Sequence, residues 1–176
     1  MNPTITIRLA DAADAELLAK LGRETFHDAF INYSQMPKDE LNKYLKDAFT
    51  LENLSSQLID ENSIFLLAEI EREAVGYAKL ETNISTKGVK AEKPIKLKRL
   101  YCKQSFVGFG IGAALIKRCL EEAAKRQHDT IWLTVWEHNL HAQSFYDRWN
   151  FEPCGSFDFA FGQTVLSDVV MQRHLT

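Results

Sequence analysis

Three of the eight glycines in this chain fall within five positions, Gly108, Gly110 and Gly112, in the run Val107-Gly108-Phe109-Gly110-Ile111-Gly112-Ala113. The run stands between a strand-like segment and a strongly amphipathic stretch, which makes it the backbone-permissive entry to a helix. Consecutive N–H groups can there point into one concavity, where the helix dipole also favours negative charge. The natural guest of such a concavity is a phosphate.

A length of 176 residues suits one compact domain over 1–176. The composition, 45% apolar and 26% charged, is that of an ordinary globular protein. The stretch Met1 to Arg8 has no apolar signal region, and no run approaches the ~18 apolar residues of a membrane span. A cytoplasmic protein without a membrane partner is therefore expected. Cys102, Cys119 and Cys154 are odd in number, widely spaced and without a paired motif, which argues for reduced thiols over a disulfide framework or zinc site.

The net charge of −3 conceals a division along the chain. Residues 1–73 carry seven basic and fourteen acidic groups, residues 74–129 twelve basic and five acidic ones. The glycine run thus lies in a cationic middle. Overall acidity and the lack of interleaved aromatics favour a small phosphorylated ligand over nucleic acid.

The spacing predicts a strand over Thr4–Leu9, then a helix capped by Asp11 and running to about Phe30. Pro37 opens a second helix and Thr50 caps a third to Ile59. Ser63–Glu69 and Ala74–Glu81 read as strands joined at Glu71-Arg72-Glu73, followed by a polar loop over Thr82–Lys93. In Ile95-Lys96-Leu97-Lys98-Arg99-Leu100-Tyr101-Cys102 the apolar positions change from odd to even. That change fits a β-bulge near Lys98–Leu100, or else Tyr101 continues the odd face and nothing is bulged. Gly110–Gln127 is a helix, Thr130–Trp136 a strand buried on both faces, Asn139 the cap of a short helix ending near Asn150, and Phe151–Phe161 with Thr164–Arg173 a closing hairpin. The order β, α, α, α, β, β, β, α, β, α, β, β implies a mixed sheet covered by helices.

Gly108, Gly110 and Ala113 also satisfy a dinucleotide fingerprint, a weak pattern alone. Five residues separate Cys102 from Gly108, however, and Asp129 precedes its strand instead of ending it, so a Rossmann oxidoreductase is the lesser alternative. No Gly-Lys-Ser/Thr follows, which excludes a Walker A loop. His138 and His141 are three apart without further ligands at metal spacing, and no metal is expected.

Leu100-Tyr101-Cys102, the glycine run with its helix, a strand, and then Asn139-Leu140-His141-Ala142-Gln143-Ser144-Phe145-Tyr146-Asp147-Arg148-Trp149-Asn150-Phe151 closely resemble the GNAT superfamily of acetyl-CoA-dependent N-acetyltransferases. Glu24-Thr25-Phe26, Gly76-Tyr77-Ala78-Lys79-Leu80, Arg99-Leu100-Tyr101 and Ser167-Asp168-Val169-Val170-Met171 resemble its bacterial spermidine/spermine branch. The resemblance implies a GNAT-like α/β fold, with a mixed, mostly antiparallel central sheet of about seven strands covered by helices. Three positions depart from the family pattern. Val107 replaces the usual Gln/Arg, Lys96 stands where many relatives carry a strand glutamate, and Asn150 replaces a glycine.

The resemblance further implies acetyl-CoA as cosubstrate, its diphosphate on the amides of Val107, Gly108, Phe109, Gly110, Ile111, Gly112 and Ala113. The pantetheine arm would run beside Leu100, Tyr101 and Cys102, where a bulged amide could polarise the acetyl carbonyl. Asn139 would cap its helix and touch the cofactor. Tyr146 would protonate the departing thiolate, a role that a phenol of unperturbed pKa near 10 performs while protonated at neutral pH. For the proton lost by the acceptor amine, Glu81 ranks ahead of Glu137, His138 and an ordered water chain. The branch resemblance, supported by the acidic segment with Glu24 and Asp28 on one face of the first helix, implies a polyamine such as spermidine or spermine as acceptor. A protein or peptide amine, or a non-catalytic acyl-CoA sensor, is the alternative. The partner is thus a small-molecule amine, with a homodimer left open.

Overall fold

The computed structural model describes residues 3–176. Seven strands form one sheet in the order β1-β2-β3-β4-β5-β7-β6. They are β1 (Ile5–Leu9), β2 (Ser63–Ile70), β3 (Glu73–Thr82), β4 (Pro94–Cys102), β5 (Thr130–Trp136), β6 (Glu152–Phe161) and β7 (Thr164–His174). The helices are α1 (Ala15–Phe30), α2 (Lys38–Ala48), α3 (Leu51–Ile59), α4 (Ile111–Lys125) and α5 (Leu140–Arg148). This is the mixed α/β architecture that the order of elements implies, with the mostly antiparallel sheet of seven strands that the resemblance implies. None of the described helices is long and apolar enough to cross a membrane.

By internal contacts the chain divides into two compact units, one of residues 1–80 and 99–119, the other of residues 81–98 and 120–176. In the first, β1 pairs antiparallel with β2 from Ile5↔Ile70 to Leu9↔Leu66. Glu71 and Arg72, at φ 50° and 70°, close the two-residue turn into β3, the left-handed pair that a tight hairpin requires. Asp11 caps a 3-10 turn over Ala12–Asp14 and not α1 itself, which starts three residues later than its cap suggests. Thr50 caps α3 by accepting from the Asn53 amide at 3.1 Å. Leu18, Leu41, Leu54, Leu66, Leu67 and Phe49 are fully buried, so the apolar stripes of the three helices and the middle of β2 form one core.

In the second unit β5 is central. It pairs parallel with β4 over Pro94↔Thr130, Ile95↔Ile131 and Lys96↔Trp132, and antiparallel with β7 from Thr130↔His174 to Trp136↔Asp168. Ile131, Trp132 and Leu133 are all buried, as a strand covered on both faces requires. Asp129 accepts from the amides of Glu92 and Lys93 at 2.8 and 3.1 Å, which occupies in loop anchoring the acid that a ribose would have needed.

In β4 the buried positions Ile95, Leu97 and Arg99 alternate without a break. The sequence loses its phase there because an arginine occupies a buried position, and the alternation ends with it, Leu100, Tyr101 and Cys102 all being half-buried. The register shift that the second unit does contain lies in β6, between Pro153 and Gly155.

Candidate active site

The first unit contains Leu100, Tyr101, Cys102, the glycine run, Glu24 and Asp28; the second contains Glu81, Asn139 and Tyr146. Each set is built by its own local geometry.

After β4 a 3-10 turn over Gln104–Phe106 leads into the glycine run. The Val107 and Phe109 amides donate to the Gln104 and Phe106 carbonyls at 3.3 and 3.2 Å, and the first bond of α4 runs from the Ala114 amide to the Gly110 carbonyl at 3.0 Å. The amides of Ile111, Gly112 and Ala113 therefore precede the first helical bond and have no acceptor within the helix. Of the seven residues that sequence offers for a diphosphate, Val107 and Phe109 spend their N–H groups inside the loop.

Gly108 and Gly110 have φ of +89° and +85°, a region that side-chain-bearing residues rarely adopt. A Cβ at Gly108 would meet nothing within 4 Å, and one at Gly110 only the Ile5 Cδ1 at 4.0 Å. These two glycines thus serve conformation, and the space beside them is not filled by protein. The donor set and this open cradle fit an anionic diphosphate.

Gly76 has the opposite role. A Cβ there would stand 2.8 Å from the Tyr101 carbonyl oxygen, 2.9 Å from Ile111 Cγ2 and 3.2 Å from Cys102 Cβ. Its missing side chain lets β3 receive both the end of β4 and the first residue of α4. Cys102 is half-buried, and burial pushes its thiol up, so at neutral pH it stays protonated and is a poor nucleophile.

An aromatic cluster adjoins this strand end. Phe26 of α1 lies 4.6 Å from Phe30, 4.9 Å from Tyr44 of α2 and 5.7 Å from Tyr101 by ring centroids, while Tyr77 of β3 lies 6.3 Å from Tyr101. Arg99 is buried with its guanidinium carbon 4.5 Å from the Phe49 ring centroid, and its Nη2 donates to the Tyr44 hydroxyl at 3.5 Å. Burial pushes the Tyr77 phenol up while Arg99 pulls it the other way. The sequence reading missed this cluster because its members come from four separate segments. Its only local signal is Arg99, a charge at a strand position where the alternation demands a buried residue.

Glu24 is exposed and Asp28 half-buried, with Asp28 3.0 Å from the His27 ring. They share one face of α1 as expected, but at two residues from Phe26 and Phe30 that face lies about 200° around the helix from the aromatic stripe.

In the second unit Asn139 caps α5 by accepting from the Ala142 amide at 3.2 Å. Ala142, Tyr146 and Trp149 are half-buried and no residue of α5 is fully buried, so the stripe faces a partly open environment. The Tyr146 ring is held edge-on 5.6 Å from Phe151, and Asn150 takes φ 61° after the helix, the role usually given to glycine. Glu81 is half-buried near the end of β3. Glu137 and His138 are largely exposed and 3.7 Å apart. The Lys96 ammonium sits 4.8 Å over the Trp132 ring. Among the described residues no three His, Cys, Asp or Glu side chains gather as a metal site.

Sequence reasoning also passed over Asp168 on β7. Burial raises its carboxyl to about 6, against a Thr134 hydrogen bond and the charges of Lys96 and Lys98, which lower it. Its Oδ1 is buried without a hydrogen-bond partner. Only the β5–β7 register, which sets Asp168 opposite Trp136, shows that this acid is shielded.

The model of the acetyltransferase (GNAT) family matches residues 23–151. An uncharacterized N-acetyltransferase of Lactobacillus delbrueckii subsp. lactis is 26% identical over 155 residues, 88% of each chain. The solved structure of the PaiA N-acetyltransferase of Thermoplasma acidophilum, in complex with coenzyme A, superposes with a TM-score of 0.76 at 22% identity, covering 97% of this chain and 99% of that one. The putative acetyltransferase YncA of Salmonella typhimurium, with acetyl-CoA, gives a TM-score of 0.68 at 19% identity over 98% and 95% of the two chains.

Proposed function

From the premise that the chain belongs to the GNAT family and is an acetyl-CoA-dependent N-acetyltransferase, we propose that its acceptor is a polyamine such as spermidine or spermine. The observation that carries this reading is the aromatic cluster beside the end of β4. Phe26, Tyr44 and Tyr101 are only half-buried, and aromatic faces attract alkylammonium groups. The balance of seven basic and fourteen acidic groups in residues 1–73 adds a field that draws in a multiply charged cation. Glu24 and Asp28 act in this reading by long-range steering and not as direct ligands.

On this proposal the diphosphate of acetyl-CoA rests on the amides at the start of α4, the pantetheine arm runs beside Leu100, Tyr101 and Cys102, and Tyr146 protonates the leaving thiolate. Asn139 fixes the start of the helix that carries Tyr146. Thiol release measured over spermine, spermidine, n-butylamine and a peptide N-terminus tests the acceptor. Spermine should give the highest kcat/KM, and its KM should rise steeply with salt while that of butylamine barely changes. Equal efficiencies with equal salt responses would overturn the polyamine assignment and leave the acetyltransferase untouched.

A further inference from the structure

We propose that Arg99 favours the neutral form of the acceptor amine: its buried guanidinium, balanced by no carboxylate, repels an ammonium seated on the aromatic cluster and so raises the share of bound amine that has lost its proton. The inference rests on the acceptor site proposed above but not on the identity of the amine.

Three observations, all within the first unit, carry it. Arg99 is only 8% exposed, and a guanidinium stays charged when buried. Among the described residues no carboxylate pairs with it. Nη2 donates to the Tyr44 hydroxyl at 3.5 Å, the guanidinium carbon lies 4.5 Å from the Phe49 ring centroid, and Nη1 is buried without a hydrogen-bond partner. Finally, Phe49 stands 5.9 Å from Phe26 and 6.2 Å from Tyr44 by centroids, so the charge lies one ring away from the half-buried faces offered to the amine.

The neighbours leave that charge uncancelled. The side chains that act on Arg99 from α2, β3 and its own strand are Tyr44, Tyr77 and Tyr101, which carry hydroxyls and not carboxylates. Arg23 of α1 donates to the Phe49 carbonyl at 2.7 Å, and the buried Lys79 of β3 donates to Gln57 at 2.9 Å, so these two add positive charge. Glu40, one turn before Tyr44 on α2, makes no pair with Arg99, and Glu24 and Asp28 lie on the other face of α1.

A cation on an aromatic face sits within about 6 Å of the ring centroid, which puts an ammonium on Tyr44 or Phe26 roughly 10 Å from the guanidinium. At an effective dielectric of about 20, repulsion over that distance moves the ionisation of the bound amine down by about one pH unit. A neighbouring cation activates lysine nucleophiles in the same way. The acidic balance of residues 1–73 acts at longer range and gathers the polycation, whereas Arg99 acts on the nitrogen that comes nearest.

The step balances without a base on the protein. One N–H bond of the ammonium breaks and its proton goes to bulk water, leaving the electron pair on nitrogen. The N–C bond then forms, the C–S bond breaks with its electrons on sulfur, and one of the two remaining nitrogen protons ends on the sulfur.

The test compares wild type, Arg99→Met, which keeps an unbranched chain against Phe49, and Arg99→Lys, which restores the charge. Calorimetric titration of n-butylamine into the CoA-saturated protein at pH 9.5, in two buffers of unlike ionisation enthalpy, counts the protons released. Wild type should release about 0.4 proton per amine bound and Arg99→Met about none. In the pH profile of kcat from pH 6 to 10, with n-butylamine and with spermine, Arg99→Met should move the acid limb up by about one pH unit and Arg99→Lys should leave it in place. With chemistry rate-limiting, kcat and KM of Arg99→Met at pH 7 should both fall about tenfold and kcat/KM should stay unchanged, because the neutral amine binds as before and only the ammonium binds better. A merely structural role would instead lower kcat/KM and leave the limb where it is. Equal proton release in wild type and Arg99→Met, or an unmoved limb, would overturn the assignment. If Arg99→Met loses the acetyl-CoA-induced rise in melting temperature, Arg99→Gln carries the same comparison. Equal efficiency of spermine and n-butylamine with the limb shift present would remove the polyamine reading alone, and absence of turnover with both would overturn the acceptor site and this inference with it.

Discussion

Replacing Gly76 by alanine adds one methyl group at the point where β3, the end of β4 and the start of α4 meet. The new Cβ would fall 2.8 Å from the Tyr101 carbonyl oxygen and 2.9 Å from Ile111 Cγ2. The carbonyl is main chain and cannot rotate away, so β4 or α4 must shift. Overpacking of this kind costs about 2–3 kcal/mol, which in a protein of this size lowers Tm by roughly 4–12 °C. Gly108→Ala provides the contrast, because its Cβ meets nothing within 4 Å and only the φ of +89° resists it. That strain costs about 1 kcal/mol, or roughly 2–4 °C. Thermal unfolding of both variants, with calorimetric titration of acetyl-CoA, separates the two mechanisms. Gly76→Ala should be the less stable and should also bind acetyl-CoA about tenfold more weakly, since the Ile111 amide moves with its side chain. A Gly76→Ala protein melting within 1 °C of wild type, by about the precision that such scans allow, or a Gly108→Ala protein that is the more destabilised, would refute the packing argument.

Acetyl-CoA at 100 times its Kd should stabilise the wild type by about 2.7 kcal/mol, and Gly110→Asp should abolish the resulting rise in Tm by placing an anion at the start of α4. Tyr146→Phe should keep cofactor affinity and lower kcat by about 10²–10⁴-fold, as seen when a general acid is lost; unchanged turnover with chemistry rate-limiting would reject the role. Asp168→Asn should gain stability relative to wild type as pH rises. The native state holds its proton up to about pH 6 while the unfolded chain has already lost it, so ionisation burdens the fold progressively above the ordinary aspartate range and fully above pH 6. The shift bounds the effect at about 3 kcal/mol, and partial exposure brings it nearer ~1 kcal/mol. A difference in Tm that does not change between pH 4 and pH 8 would contradict this.

What the sequence made legible follows from which constraints are local. Gly108 and Gly110 mark their loop because their φ angles admit little else, and Asn150 marks the end of α5 for a similar reason. Strand β5 is readable because burial on both faces leaves only apolar choices over most of its length. Arg99 obscured the alternation of β4 because a buried arginine counts as exposed in any alternation argument, although Phe49 and Tyr44, fifty or more residues earlier, accommodate it. Asp168 gave no signal at all. Its shielding is a product of the register against β5, with Trp136 thirty-two positions away, and no local spacing encodes that. The acids of α1 were correctly grouped on one face, but the opposite face carries the aromatic stripe, since the sequence does not show which side of a helix meets the strand.

The glycine run is defined by its torsion angles and not by its side chains. Alanine substitution at the exposed Val107 and Phe109 would leave every amide at the start of α4 in place, and would report the loop as tolerant. The same property lets Val107 occupy this loop without loss of the main-chain donors of Ile111, Gly112 and Ala113. Variation in this loop is thus invisible to methods that delete side chains and visible only to those that alter backbone freedom, such as a residue with a Cβ at Gly108 or Gly110, or a proline at Gly112 or Ala113 that removes one N–H.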